Sequence, residues 1–492
     1  MKVFKRALAA ATALLLLALL PVSALAETYY IDQGAITVYT NDSGQYVTQV
    51  NGAQDEKQTT ETVITQTEGT GATGNWITIK AAADTEAKVT LDDVNISQGG
   101  GYAMQTKGEG DVTIELEGSN TVKANGSPGG KMYQGLDKNN KGELTINDVD
   151  SDGSLTAQGG GDSAGISGSN ITINGGTIKA NGAAGAAGIG GDDGGSVSNI
   201  TINGGTVTAT GGDNAAGIGG GKNGSASNIT INGGTVTATG RNGGAAIGGG
   251  AQKDGTDITI TGGTVTAKAT WGAGIGGGFN GNGTDITISG GTVDASAASG
   301  AAIGGGEQGN GTGITISGGD VTAKSGKDSN SADAYDSGAG IGGGAAGTGS
   351  NIVISGDAVV RARGGVADGL YGTGAAIGNG AAQGVDIGVE AVIDTTGLYT
   401  TGRVEYYTAG SDMTDPENIA NSIVGTVEPP EPEPEPEDPK PTEPEVIETA
   451  TTTELIAPAT DDGSSAVWLV LALTSGAALA LLCFRKKRSI SK

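Results

Sequence analysis

Three aspartates at alternate positions have the best spacing for chemistry in this sequence. Asp148, Asp150 and Asp152 precede Gly153. Alternate carboxylates followed by glycine are typical of the first half of a calcium loop, because the oxygen ligands converge on one side and glycine permits a sharp turn. The acid expected at the twelfth position is replaced by Gly159. The spacing predicts a weak calcium site at Asp148, Asp150 and Asp152, and a solvated acidic turn is the alternative.

The side chains most often used in catalysis are almost absent. The chain has no histidine, and its one cysteine, Cys483, lies in an apolar run. Histidine-based triads, histidine metal sites and a disulfide within the chain are therefore excluded. Paired carboxylates such as Asp92 with Asp93 remain, but adjacent residues on a strand face opposite sides of it. We expect a protein that is not an enzyme, with a polysaccharide lyase or hydrolase as the alternative.

Aromatic side chains are the usual platforms for sugar rings, yet Phe, Trp and Tyr make up only 3% of the chain. Packing between neighbouring segments explains most of these residues. Trp271 differs, because corresponding places in the sequence hold glycine or asparagine. We therefore predict Trp271 as a ligand-binding residue. The aromatic candidates as a set are Trp76, Tyr102, Tyr133, Trp271, Tyr335 and Tyr371.

A repeat of about 29 residues must position these side chains. Each copy carries Ile-Thr-Ile, a run such as Thr-Val-Thr-Ala-Thr, and a Gly-Ile-Gly segment. Alternating β-branched residues bounded by glycines are typical of short strands joined by turns. A fixed period of this size indicates a solenoid, in which stacked copies share one core. The first isoleucine of Ile-Thr-Ile recurs at Ile171, Ile200, Ile229, Ile258, Ile286, Ile314 and Ile352.

We predict an all-β fold, a right-handed parallel β-helix of about nine to eleven coils over residues 76–395, with about 28–29 residues per coil. Its core should hold stacked isoleucines. The residue before Ile-Thr-Ile is asparagine in three coils and then aspartate in two, and stacked asparagines can form hydrogen-bonded ladders. The predicted core isoleucines are Ile171, Ile173, Ile200, Ile202, Ile229, Ile231, Ile258, Ile260, Ile286, Ile288, Ile314 and Ile316.

Threonines should form two outward files. Thr206, Thr235 and Thr264 stack in one file, and the threonines two residues later stack in the other; aspartates interrupt both at Asp294 and Asp320. A flat hydroxyl array suits a crystalline surface such as ice or cellulose. Threonine is also simply favourable on a solvated strand face, and this is the interpretation that we favour.

The ends of the chain predict export and anchoring. Basic residues, an apolar run and Ala24-Leu-Ala26 are typical of a secretory signal peptide. An apolar run near the other end is long enough to span a bilayer, and the basic residues after it should stay cytoplasmic. The predicted segments are a signal peptide (1–26), a leader and cap (27–75), irregular coils (76–162), regular coils (163–397), a C-terminal cap (398–427), a Pro/Glu-rich stalk with a sorting-like motif (428–463), a transmembrane helix (464–484) and a basic tail (485–492).

The C-terminal layout resembles the sorting signal of Gram-positive surface proteins, which joins Leu-Pro-x-Thr-Gly to an apolar span and a basic tail. Pro458 and Thr460 match that motif, and Ala457 and Asp461 stand where the family has leucine and glycine. The resemblance implies cleavage after Thr460 and attachment to the cell wall. Without cleavage, the apolar span would hold the protein in the membrane.

The repeat-containing part of the chain, which precedes this C-terminal layout, resembles secreted bacterial β-helices called carbohydrate-binding-domain-containing proteins. The resemblance covers roughly residues 76–365. It implies binding of an extracellular polysaccharide, with calcium as a possible cofactor. The segments that carry it are Val89-Thr-Leu-Asp-Asp-Val-Asn-Ile-Ser97, Asp111-Val-Thr-Ile-Glu-Leu-Glu-Gly-Ser-Asn-Thr-Val122, Gly142-Glu-Leu-Thr-Ile146 and the Ile-Thr-Ile-Asn-Gly-Gly-Thr repeats.

We expect a carbohydrate-binding or adhesion protein displayed on the cell surface, bound to the cell wall or plasma membrane by its C-terminus. It should bind an extracellular polysaccharide, acidic polymers included, without turnover. A formal net charge of −27 disfavours nucleic acid and anionic membranes as direct partners. A protein-binding adhesin or a surface-structural protein is the further alternative.

Overall fold

The computed structural model describes residues 27–50, 57–59, 61–126, 132–326, 337–366, 372–382 and 388–430. The predicted signal peptide, the stalk from residue 431 onward, the sorting-like motif with Pro458 and Thr460, the transmembrane helix and the basic tail lie outside these ranges. Within the described ranges, no helix is long and apolar enough to cross a membrane.

Three long sheets wind around one core, as the repeat predicts. Sheet A contains the Ile-Thr-Ile strands, and its members pair in parallel with the copy one coil away. Its strands are β1 Glu27–Tyr30, β5 Thr62–Thr65, β7 Glu86–Asp92, β10 Asp111–Glu117, β13 Leu144–Asn147, β16 Ile171–Ile173, β19 Val197–Ile202, β22 Ala226–Ile231, β25 Gly255–Ile260, β28 Gly283–Ile288, β31 Gly311–Ile316 and β34 Gly349–Ile354.

Sheet B contains the short Ile-Gly strands, and at its N-terminal end strand 44–49 pairs antiparallel with strand 36–41 on one side and with strand 57–59 on the other. Its strands are β2 Ile36–Asn41, β3 Gly44–Gln49, β4 Lys57–Thr59, β6 Ile77–Ala81, β9 Met104–Gly108, β12 Leu136–Lys138, β15 Ile166–Ser167, β18 Ile189–Gly190, β21 Ile218–Gly219, β24 Ile247–Gly248, β27 Ile275–Gly276, β30 Ile303–Gly304, β33 Ile341–Gly342 and β36 Ile377–Gly378.

Sheet C contains the Thr-Val-Thr-Ala strands and ends in an antiparallel strand, β38. Its strands are β8 Asn95–Gln98, β11 Ser119–Ala124, β14 Ser154–Gln158, β17 Thr177–Asn181, β20 Thr206–Asp213, β23 Thr235–Arg241, β26 Thr264–Ala269, β29 Thr292–Ala297, β32 Asp320–Ser325, β35 Val359–Arg363, β37 Arg403–Tyr407 and β38 Ile419–Val424. Among the residues that the structure describes, Ile31–Gln33 and Pro416–Asn418 form short 3₁₀ helices.

From β6 to β35, ten consecutive triplets of strands each supply one strand to sheets B, A and C. The fold is therefore a parallel β-solenoid of the right-handed type, as predicted, which is the hand that parallel crossovers almost always take. The segment expected as a leader and cap, residues 27–75, also contributes β1, β2 and β5 to the sheets. The antiparallel hairpin at this end covers the sheet edge, where unpaired backbone groups would otherwise invite association.

Side chains on the inner face of each sheet form the core. All twelve isoleucines predicted to stack are 0% exposed. The register is in step between coils, with Ile200, Ile229 and Ile258 directly opposite one another. Glycine is required at corners such as Gly219, which has φ +136° and would place a Cβ 2.0 Å from the carbonyl oxygen of Gly248.

Candidate functional site

The outer face of sheet B in the first coils carries large polar side chains. On β6 and β9 the inner positions hold Ile77, Ile79 and Met104, so the alternate residues must face outward. Lys80 and Lys107 are both exposed on this face. In later coils the strands of sheet B are reduced to Ile-Gly, so they offer no such side chains.

A cleft of about 340 Å³ lies on this face, and we call it the Trp76 cleft. Trp76 is 45% exposed at its edge, although a tryptophan used only for packing would be covered. Gln98 fixes the loop that forms one wall, since its amide donates to the Gly74 carbonyl at 2.8 Å and accepts from the Gly100 N–H at 3.2 Å. The lining residues are Trp76, Thr78, Gln98, Gly100, Gly101, Tyr102, Gln105 and Lys107.

A hydrogen-bonded network supports the floor of the Trp76 cleft. Tyr102 packs edge-on against Tyr133, with ring centroids 5.6 Å apart. Gln105 lines the cleft and donates to Asp137, which also accepts from the Ser167 hydroxyl at 3.2 Å. Burial raises the pKa of Asp137 above its usual value of 3.8, although these hydrogen bonds and Lys107 oppose the shift.

A second carboxyl group, Asp192, lies close to the same network. It accepts from the Ala164 N–H at 2.7 Å and from the Gln134 amide. Burial raises its pKa, and Asp137 adds to the shift. Burial, Asp137 and Asp192 together raise the pKa of the Tyr102 phenol. Two carboxyl groups with raised pKa values therefore lie close enough to Tyr102, which lines the cleft, to affect its titration.

A second site lies on the outer face of sheet A, where a groove of about 690 Å³ runs over the early coils. We call it the acidic groove. Glu115 and Glu117 line it from alternate outward positions of β10, and the loop after β13 lines it with Val149 and Asp150. The Glu115 carboxylate accepts from the Val149 N–H at 2.7 Å, which joins the loop to the coil before it.

The three predicted calcium ligands lie in this loop, but they belong to two groups of oxygens. Asp148 and Asp150 form one group with Glu115, and Asp150 and Asp152 form the other with Glu117. Within each group the ligand atoms all lie within 4.8 Å of one another. Carboxylate oxygens at this spacing fit a hard cation such as calcium.

Like charges in and near the groove raise the pKa values of two carboxyl groups. The pKa of Glu117 is raised by burial and by the carboxylates of Asp150, Asp152, Glu115 and Asp92. The pKa of Asp92 is raised by burial and by its acidic neighbours Asp93 and Asp152. A bound cation would offset this repulsion, because it favours the ionised form of each carboxyl group.

The other predicted aromatic candidates lie elsewhere. Trp271 is half-buried at a corner of the regular coils and packs on Phe279, with ring centroids 6.3 Å apart and planes tilted by 57°. It does not line the Trp76 cleft, and its ligand-binding role stays a prediction. Tyr335 and Tyr371 lie outside the described residues.

The regular coils present ladders of polar side chains. Asn203 donates to Asn174 and accepts from Asn232, at 2.8 Å in both cases. The asparagines before Ile-Thr-Ile form a second ladder, in which Asn199 donates to Asn170 at 2.6 Å and accepts from Asn228 at 2.6 Å. The threonine files of sheet C have the expected register and are interrupted at the expected aspartates.

Sequence reasoning missed Glu115 and Glu117 as partners of the aspartate loop, and Gln105 and Lys107 as partners of Trp76. A signal was present for the glutamates, since they occupy alternate positions in a strand-like run and must share its outer face. For the cleft the signal was weaker, because the early coils vary in length and the sequence does not give their register.

Comparison with family models identifies beta helix repeats in the regular coils. The matched segments are residues 171–195, 200–222, 229–251, 258–279, 286–307 and 314–345, and each begins at the first isoleucine of Ile-Thr-Ile. These segments are therefore beta helix repeats in sequence as well as in structure. Comparison with curated proteins and with solved structures gives no significant match. Neither the Trp76 cleft nor the acidic groove lies within the matched segments.

Proposed function

We propose that this protein binds an extracellular polysaccharide, without turnover, and that the Trp76 cleft is its principal contact. The observation that carries the proposal is the exposed Trp76 ring beside Tyr102, amide groups and an ammonium group in one cleft. Apolar ring faces with a few fixed polar groups are what a sugar ring requires, because its C–H faces stack and its hydroxyls form hydrogen bonds. The acidic groove, on the outer face of sheet A, would act as a separate cation site.

A glycan array with the full-length chain and two tryptophan variants tests this proposal. Trp76→Ala should weaken binding by about 10- to 100-fold, as expected for an aromatic anchor. Trp271→Ala tests the competing site, because it removes the same side chain from a regular coil where a ligand-binding role is also predicted. If Trp271→Ala abolishes binding and Trp76→Ala does not, the site is in the regular coils. If the wild type binds no glycan, a protein-binding adhesin becomes the better proposal.

A polysaccharide hydrolase is the second candidate, and it rests on Asp137 and Asp192. A carboxyl group whose pKa is raised by burial can donate a proton to a leaving group, and glycoside hydrolysis uses two carboxyl groups. Incubation of the wild type with each bound polysaccharide decides between the two. New reducing ends that disappear in Asp192→Asn favour the hydrolase, and an unchanged chain length favours the binding protein.

We also propose display on the cell surface through the C-terminus, because a signal-like start, a Pro/Glu-rich segment and an apolar run with a basic tail occur in the order that export and anchoring need. Fractionation after muramidase digestion tests this. Release with the wall fraction requires cleavage after Thr460. Recovery with membranes alone indicates that Asp461 blocks cleavage, and protein found only in the cytosol contradicts both forms of the proposal.

A further inference from the structure

Two lysines lie directly opposite each other at one end of the Trp76 cleft, where Lys107 lines the cleft and Lys80 is its neighbour on the adjacent strand. Lys80 on β6 and Lys107 on β9 are register partners, and Thr78 and Gln105, both lining the cleft, are the preceding pair on the same face. Adjacent strands are about 4.8 Å apart, so the two lysine side chains project from the sheet next to each other. Like charges directly opposite each other destabilise a sheet, and the pair therefore needs a reason.

Ion pairing within the described residues does not supply that reason. No described carboxylate forms a salt bridge with Lys80 or Lys107, although the chain has twice as many acidic as basic residues. Asp137 is close enough to Lys107 to interact electrostatically, but its oxygens already accept from Gln105 and a serine. Lys324 differs from these two lysines. It also lies opposite a basic residue, Arg363, on the adjacent strand, but it forms an ion pair with Asp294 at 3.1 Å.

We propose that Lys80 and Lys107 together bind an anionic group of a polysaccharide that also stacks a sugar ring on Trp76. An ammonium group recognises an anion by charge and hydrogen bonding, and carboxylate and sulfate groups share this chemistry. The Trp76 cleft therefore selects an acidic polysaccharide. The inference rests on the proposed function and adds the ligand class and a direct contact that needs no bridging calcium.

Three soluble cellulose derivatives with one backbone test the inference, with chelator present to exclude calcium bridges. Hydroxyethyl cellulose is neutral, carboxymethyl cellulose carries carboxylates, and cellulose sulfate carries sulfates. Binding of the full-length chain to the anionic polymers should be about tenfold tighter than to the neutral one. High salt should reduce only that difference, because it screens exposed charges. Tighter binding of one anionic polymer identifies the substituent.

The double variant Lys80→Met, Lys107→Met should lose the preference for anionic polymers and retain binding to the neutral one. Lys179→Met is the matched control, because it removes an exposed lysine from a regular coil. Trp76→Ala should weaken binding to all three polymers. If the three polymers bind equally and the lysine variant is unchanged while Trp76→Ala weakens binding, the proposed function stands and the anion inference is wrong. Absence of binding to all three polymers contradicts the inference, and the glycan array decides the proposed function separately.

Discussion

Replacement of one core isoleucine by alanine tests the architecture most directly. Ile229 lies on β22 with its side chain 0% exposed. Ile200 is its register partner on one side and Ile258 on the other, and both belong to the same core cluster. Each neighbour is held by its own strand in the ladder, so neither can move far enough to fill a cavity left by Ile229→Ala.

The expected cost follows from the atoms removed. Ile229→Ala deletes three carbon atoms, and at ~0.8 kcal/mol each the lost transfer free energy is about 2.4 kcal/mol. A cavity that cannot close adds to this, and the range for Ile→Ala in well-packed cores is about 2–5 kcal/mol. Since each coil contacts mainly its neighbours, the loss should be largest around β19, β22 and β25.

Denaturant unfolding gives the total loss, and amide hydrogen exchange locates it. Thr230→Ala is the matched control, because Thr230 is the next residue on the strand and faces outward; it should change the free energy of unfolding by less than about 0.5 kcal/mol. If Ile229→Ala costs no more than this control, the isoleucines are not stacked in the assigned register and the reasoning fails.

Three further predictions follow from the ladder, the groove and the buried carboxyl groups. Asn203→Ala removes one hydrogen bond on each side of the ladder and should lower the free energy of unfolding by about 1–2 kcal/mol, measured by denaturant titration. Calcium should raise the melting temperature of the full-length chain more than magnesium does, and the double variant Glu115→Gln, Glu117→Gln should lose this effect while Glu143→Gln keeps it; a chelator-insensitive melting curve in the wild type refutes the site. The pKa of Asp192 is raised in the folded state. Its contribution to the free energy of unfolding is therefore fully present below pH 3.8, the ordinary pKa, and is lost as the pH rises through the folded-state pKa. Stability should therefore fall less with rising pH in Asp192→Asn than in the wild type, and parallel curves would contradict that assignment.

The regular coils could be predicted almost completely. A repeat fixes the register, because a shift by one residue would turn every isoleucine of Ile-Thr-Ile out of the core. The same period stacks the asparagines before Ile-Thr-Ile, and the hydrogen-bonded ladder through Asn199 confirms it; the second ladder, through Asn203, follows from the same period although it was not predicted. The strand propensities of each repeat and the stacking of the repeats predict the same register here, so the sequence was sufficient to predict it.

The candidate sites could be predicted only in part. The aspartate loop was visible because its three ligands are close in sequence. Its partners Glu115 and Glu117 are more than thirty residues earlier than Asp148 and Asp152 in chain order and belong to the preceding coil. The early coils have no constant length, so the sequence did not show which outward residues would face each other across the stack.

Sequence alone thus determined the solenoid, its core and its ladders, because a period of 28–29 residues repeats the same contacts in every coil. Only the tertiary structure brought Trp76 to Tyr102 and Lys80 to Lys107, since these pairs depend on the register of two irregular coils. The physical reason is that a β-solenoid buries one face of each strand and leaves the other free. Burial constrains the inner residues by type, whereas the outer residues acquire their neighbours only when the coils stack.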